Sequence, residues 1–247
     1  MQKTYIIILV LAFLSGLSTF IGALLAYFFK KNSNIITAGL SFAAGIMILI
    51  SFLELIPRSL ESANLFYALI GVLIGISLMT ILNKIIPHTH LCKKEGINKS
   101  LIKTAYLCTL GLIIHDFPEG FALANSYIHS PKLGLLIAIA IVLHNIPEEF
   151  AMAIPVIKSN KGRKFLFKMS FISSLAEPAG AIFGLLVVSI LPAFNSFFIA
   201  FAAGAMIFIS FHELIPLAIK EKNPSYFLGG LIFSILVYFG LTILLPH

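Results

Sequence analysis

Eight apolar runs, each about 20 residues long and so matched to a hydrocarbon core roughly 30 Å thick, decide what this chain can fold into. They lie near residues 5–28, 35–57, 66–87, 104–127, 133–156, 169–191, 195–216 and 225–246. In lipid every backbone N–H and C=O must find its partner within the protein, and runs of this length do so as helices. The expectation is an all-α integral membrane protein of eight transmembrane helices. A content of 59% hydrophobic residues and a mean hydropathy of +1.03 exclude a soluble domain. The connections are short and none could fold separately, so residues 1–247 read as a single transmembrane domain.

The formal charge of +7 belongs to topology. Of 17 Lys and Arg, 14 fall in or beside the first, third, fifth and seventh connections, among them Lys30, Lys31, Lys93, Lys94, Lys161, Arg163 and Lys164. Only Lys3, Arg58 and Lys132 lie on the other side. Basic residues stay cytoplasmic, so the odd-numbered connections are expected in the cytoplasm and both termini outside a cell membrane crossed many times. No nucleic acid is needed to explain the basicity. The first run is too long for a signal-peptide core and no small-x-small site follows it, so it counts as a span. Cys92 and Cys108 lack CxxC spacing and give no disulfide framework.

The chain repeats itself. At an offset of 159, residues 43–57 (AAGIMILISFLELIP) match residues 202–216 (AAGAMIFISFHELIP) at 12 of 15 positions, and Ile85-Ile86-Pro87-His88 aligns with Leu244-Leu245-Pro246-His247. Spans 1–3 thus recur as spans 6–8. On the charge-derived topology the second span runs outward and the seventh inward, so the copies are inverted, as in many transporters. The two central spans repeat at an offset of 29, with HDFPEGFALA from His115 matching HNIPEEFAMA from His144 at six of ten positions. The plan is 3+2+3, with a pseudo-two-fold axis between the fourth and fifth spans.

Those central phrases hold the chemistry. Helix positions i, i+3 and i+4 share a face, so His115, Asp116 and Glu119 project together, as do His144, Asn145 and Glu148. Ionisable groups at mid-membrane depth cost several kcal/mol and persist where they pair, face the bundle interior or hold an ion. Two such faces meeting near the midplane argue for a metal. Pro118 and Pro147 are expected to kink their helices and free the carbonyls of Ile114 and Leu143. Glu177, beside Pro178 in the sixth span, is a third carboxylate source; Ala176, Ala179, Gly180 and Gly184 around it permit close helix approach.

Other residues are secondary candidates. Glu54 and the His212-Glu213 pair occupy equivalent repeat positions near span ends, Glu54 at the outer mouth and His212-Glu213 at the cytoplasmic one, as gates, relay ligands or interfacial charges. Met47 and its equivalent Met206 are packing residues or soft ligands. His88, His90 and Cys92 could receive an ion loosely in the third connection. Imidazole and carboxylate without thiolate suit Zn²⁺ and Fe²⁺, and accept Mn²⁺, Co²⁺ or Cd²⁺. Seven candidate ligands exceed the needs of one tetrahedral zinc, so two adjacent positions bridged by Glu119 and Glu148 would use them. Metal entry is expected to release protons.

On HDFPEG at His115–Gly120, HNIPEE at His144–Glu149, AEP at Ala176–Pro178 and the paired AAG-M helices, the whole chain resembles the ZIP (Zrt/Irt-like) family of divalent metal transporters, nearest its bacterial zinc-uptake branch. The resemblance implies import of zinc as substrate with no cofactor, a binuclear site of Asp116, Glu119, His144, Asn145, Glu148 and Glu177 joined by His115, a contribution from Met47, and a homodimer with elevator-like movement in the lipid bilayer. Two residues depart from the family phrase: Asp116 stands where Asn is common, and Glu149 where Gly is usual. Glu149 is turned about 100° from Glu148 on a helix, so it is expected to face away from the site. A membrane-embedded zinc hydrolase and a flux-free metal sensor are the competing readings; inverted repeats with duplicated ligand sets favour transport over the hydrolase, and flux in proteoliposomes separates transport from the sensor.

Overall fold

Helices account for nearly all of the computed structural model, which describes residues 2–29, 32–62, 65–85, 99–158 and 162–245. The first span is α1 (Gln2–Phe29). The second comprises α2 (Ser33–Ile50), a π-helical turn at Ser51–Leu55 and α3 (Ile56–Ser62). The third and fourth are α4 (Leu65–Ile85) and α5 (Lys99–His129), the fifth α6 (Pro131–Lys158). The sixth is split into α7 (Arg163–Ser174) and α8 (Ala176–Ile190). The seventh comprises α9 (Asn195–Ile209), a second π turn at Ser210–Leu214 and α10 (Ile215–Lys220), and the eighth is α11 (Pro224–Leu244). Seven stretches among the described residues are long and apolar enough to cross a membrane; α5, as long as any of them, falls outside that set and is the helix that carries Asp116 and Glu119.

Local chemistry sets the boundaries. Asn32 caps α2 by accepting from the backbone N–H groups of Asn34 and Ile35 at 3.0 and 3.3 Å. Proline opens α6 and α11, where its missing N–H costs nothing. Gly162, at φ +79°, turns the chain into α7. The break at Leu175 follows from Pro178, which sits in the first turn of α8 and cannot be a donor to Ser174. That Ser174 carbonyl abuts Gly16 of α1, where a side chain would clash. α5 and α6 continue as helix through Pro118 and Pro147, and Gly39 of α2 leaves room for the Pro147 ring.

The sequence repeat is visible in the packing. Both copies carry the π turn at the same place, two residues before Pro57 and Pro216, and in both a serine hydroxyl bonds the methionine carbonyl four residues back: Ser51 to Met47 at 2.7 Å and Ser210 to Met206 at 2.8 Å. Besides α5 with α6, the most extensive helix pairs are α4 with α9, α11 with α2, α1 with α6, and α8 with α5. Exchanging spans 1–3 with 6–8 and the fourth with the fifth turns the first pair into the second and the third into the fourth. Single contacts obey the same exchange. Gly71 lies against the Phe197 carbonyl and Gly230 against that of Ala38, and both glycine and carbonyl positions differ by 159. With no side chain in the way, backbones touch, the usual source of helix affinity in lipid.

The interior is built from small and aliphatic residues of α2, α5, α6 and α9, fully buried Leu40, Ile46, Leu123, Leu136 and Ile141 among them. The outer surface is as apolar as the core: Leu73, Leu236 and Ile243 are 61%, 64% and 77% exposed. That inversion of the soluble pattern is what a lipid solvent demands. His88, His90 and Cys92 lie outside the described residues, as do Pro87, Pro246 and His247 of the shorter repeat match.

Candidate metal centre

Two helices supply the core of the centre and grip each other crosswise. His115 of α5 places Nε2 3.3 Å from Glu148 Oε1 of α6, and His144 of α6 places Nε2 3.1 Å from Glu119 Oε1 of α5. Each pair becomes the other on shifting by 29 residues, so the short repeat has closed on itself through an imidazole and a carboxylate from opposite helices. All four side chains are at most 4% exposed. Glu119, His144 and Glu148 each offer a ligand atom within 4.8 Å of the others. Neither oxygen of Glu119, neither ring nitrogen of His144, nor Oε2 of Glu148 has a hydrogen-bond partner among the described residues. Orphaned buried polar atoms cost about 1–3 kcal/mol each, and a shared cation would partner one ligand atom from each of Glu119, His144 and Glu148.

The remaining predicted ligands line the α7–α8 side. Asn145 Nδ2 donates to Glu177 Oε1 at 2.5 Å, and the Ser15 hydroxyl of α1 donates to Glu177 Oε2. Ser173 Oγ donates to Asp116 Oδ2 at 3.0 Å. Asn145 and Asp116 are equivalent in the short repeat, so each faces the broken sixth span, Asp116 toward α7 and Asn145 toward α8. Glu177 is brought against α5 by reciprocal glycine contacts: Gly120 meets the Glu177 carbonyl and Gly180 the Phe117 carbonyl. Asp116 lies within electrostatic reach of Glu119, Glu148 and Glu177, and Glu177 within reach of Glu119. The carboxylates form one field rather than separate sites.

Sequence reasoning placed Glu213 at a mouth, with His212. In the structure Glu213 is buried, 4% exposed, with Oε2 3.7 Å from His115 Nδ1. His212 points the other way, exposed and stacked on Phe208 at 4.7 Å between ring centroids. The two are adjacent within the π turn at Ser210–Leu214. Glu54, the repeat equivalent of Glu213, is equally buried and accepts from the Tyr238 hydroxyl at 2.7 Å. Met47 and Met206 are both fully buried in the hydrophobic core. Glu149 is buried as well, its Cβ lying where a side chain on Gly22 of α1 would go, with Ser170 of α7 beside its carboxylate. Ser15, Ser173 and Tyr238 were not singled out from sequence, since an isolated hydroxyl in an apolar run has no pattern to betray it.

Imidazole nitrogens and carboxylate oxygens from facing helices, dry and short of partners, can hold a borderline divalent cation and offset its desolvation.

The chain is similar to known proteins along most of its length. Residues 87–245 match the family model described as "ZIP Zinc transporter". Proteins named "Zinc transporter ZupT" are similar along nearly the whole chain. That of Escherichia fergusonii is 40% identical over 234 residues, 88% of this chain and 90% of the relative. The one from Corynebacterium aurimucosum is 36% identical over 240 residues, 90% and 91% of the two chains. The Chlorobaculum parvum protein is 34% identical over 249 residues, 92% and 93%.

Proposed function

This chain belongs to the ZIP zinc transporter family, and from that premise we propose that it carries Zn²⁺ into the cytoplasm through the buried cluster between α5, α6 and α8. It is a multi-pass membrane transporter and not an enzyme; divalent metal ions are its cargo. Fe²⁺, Mn²⁺, Co²⁺ and Cd²⁺ are further candidate substrates, since N/O ligands accept them all. The observation that carries the reading is the crosswise pairing of His115 with Glu148 and of His144 with Glu119 in a fully buried cluster between α5 and α6.

In the proposed mechanism Glu119 and Glu148 bridge two adjacent ion positions, His115 and His144 close one, and Asp116, Asn145 and Glu177 close the other. Ser15 and Ser173 hold Glu177 and Asp116 in place through their hydroxyls. Glu213, next to His115, offers an incoming or departing ion its next carboxylate. Ligands must shed protons to bind metal, so ions and protons exchange at the cluster. Residues 1–247 act as one 3+2+3 transport domain in the cell membrane, with odd connections in the cytoplasm and both termini outside. A homodimer is part of the proposal, tested by the mass of the protein in lipid nanodiscs.

The test is uptake of Zn²⁺, Fe²⁺ and Mn²⁺ into proteoliposomes for the wild type and Asp116→Asn. Flux in the wild type, with a changed ion ranking in the variant, is expected. No flux of any ion by folded, metal-binding protein would defeat the importer reading.

A further inference from the structure

Two apolar crevices flank the metal helices on their outer sides. The first, 560 Å³, lies between α2, α6 and α11, with Gly39, Phe42, Ile146, Pro147, Gly229 and Phe233 among its walls. The second, 450 Å³, lies between α9, α5, α4 and α8, walled in part by Phe198, Phe201, Phe117, Pro118 and Ile74. They are one feature built twice. Eight of the fourteen residues lining the first have a repeat equivalent lining the second: shifts of 159 take Gly39 to Phe198, Phe42 to Phe201 and Ile74 to Phe233, and a shift of 29 takes Phe117 to Ile146 and Pro118 to Pro147. The first is the larger, with glycine at position 39 where the second has the Phe198 ring.

We propose that the first crevice is a binding site for one acyl chain of a membrane phospholipid, seated against the back of the metal helix α6. The occupant follows from place and chemistry. The walls are apolar except for Asn34 and Tyr226 at one end, where α2 and α11 begin, as a chain anchored by a headgroup at the membrane interface requires. The crevice is continuous with the lipid-facing surface, since Ile35 and Phe233 on its rim are 46% and 56% exposed. Unfilled, its walls would forfeit dispersion contacts, and in a bilayer the molecules at hand to restore them are lipid tails. The site also touches function. Ile146, Pro147 and Phe150 form its inner wall, and they are the chain neighbours of Asn145, Glu148 and Glu149. A chain in the crevice supports α6 from behind and opposes its movement away from α2 and α11; this effect on transport rests on the proposed function, whereas lipid binding does not.

The protein contains no tryptophan, which makes the test direct. Phe42 is 8% exposed and packs on Phe233 at 5.3 Å between ring centroids, so Phe42→Trp puts a lone indole on the crevice wall. Phe150→Trp is the second reporter should that variant fail to fold, and Leu236→Trp, on the open lipid surface, is the reference. In vesicles of phosphatidylcholine brominated along its acyl chains, the Phe42→Trp indole is expected to be quenched at least half as strongly as the Leu236→Trp indole. Gly229 lines the crevice and has nothing within 4 Å of a Cβ added to it, so Gly229→Leu is chosen to occupy crevice space. It is expected to remove most of the Phe42→Trp quenching, to leave Leu236→Trp unchanged, and to alter the zinc uptake rate severalfold. Absent quenching means that protein closes the crevice, the same chain or a second copy, and overturns the proposal. Quenching unaffected by Gly229→Leu, or strong quenching by aqueous acrylamide, overturns it as well. Quenching that responds to Gly229→Leu with unchanged zinc uptake keeps the lipid site and removes its link to transport.

Discussion

Replacing Ser15 by alanine should weaken zinc binding although Ser15 belongs to no motif. It is fully buried on α1, and its hydroxyl is the described partner of Glu177 Oε2. Glu177 is itself fully buried, and Asn145 holds its other oxygen at 2.5 Å. Without Ser15 the carboxylate keeps one anchor of two and can swing about it. Loss of a partner that orients a metal ligand costs about 10–100-fold in affinity. The remaining Asn145 contact places Ser15→Ala at the lower end, about tenfold or 1.4 kcal/mol. A zinc dissociation constant from chelator competition on purified protein, beside uptake in proteoliposomes, reads the effect: half-saturation should rise about tenfold. Ser189→Ala, which removes only an exposed local bond to the Leu186 carbonyl, should change nothing. A folded Ser15→Ala protein with wild-type zinc affinity would refute the claim that Glu177 is a ligand positioned from α1.

Other substitutions probe the scaffold and the proton link. Gly71→Leu and Gly230→Leu each drive a side chain into a carbonyl of the facing helix, so both should lose about 1–3 kcal/mol of stability, seen as lowered thermal midpoints in detergent, while Gly240→Leu, with open space around it, should not. Tyr238→Phe removes a hydroxyl from the buried Glu54 carboxylate and should cost about 1.5–3 kcal/mol in the same assay without changing zinc affinity. Because histidine and carboxylate ligands bind metal deprotonated, zinc affinity should fall as pH is lowered from 7 to 5 and zinc loading should acidify a weakly buffered sample; a pH-independent affinity would contradict a His/carboxylate donor set.

Much of this was legible in the sequence because lipid leaves few choices. A 20-residue apolar run has one way to satisfy its backbone, and the offset of 159 recurs in contacts the sequence did not single out, Gly71 on Phe197 and Gly230 on Ala38. The shared face of His115, Asp116 and Glu119 was legible because α5 and α6 continue as helix through Pro118 and Pro147. Glu213 was placed near a mouth from its position toward the end of its span, and only the fold shows its carboxylate beside the His115 ring while His212 stays outside. The break before Glu177 was missed because Pro178 was read for its neighbour's charge and not as a first-turn residue that lets a new helix begin. Ser15 and Ser173 could only emerge from the fold, since their partners lie 162 and 57 residues away.

The most direct test of the central claim, that one cluster shared by α5 and α6 carries the ion, is zinc flux into proteoliposomes for Glu119→Gln, Glu148→Gln and the double variant. If the two carboxylates act as a unit, each single substitution should abolish most of the flux and the double should be no worse than either. Wild-type flux in both single variants would contradict the account.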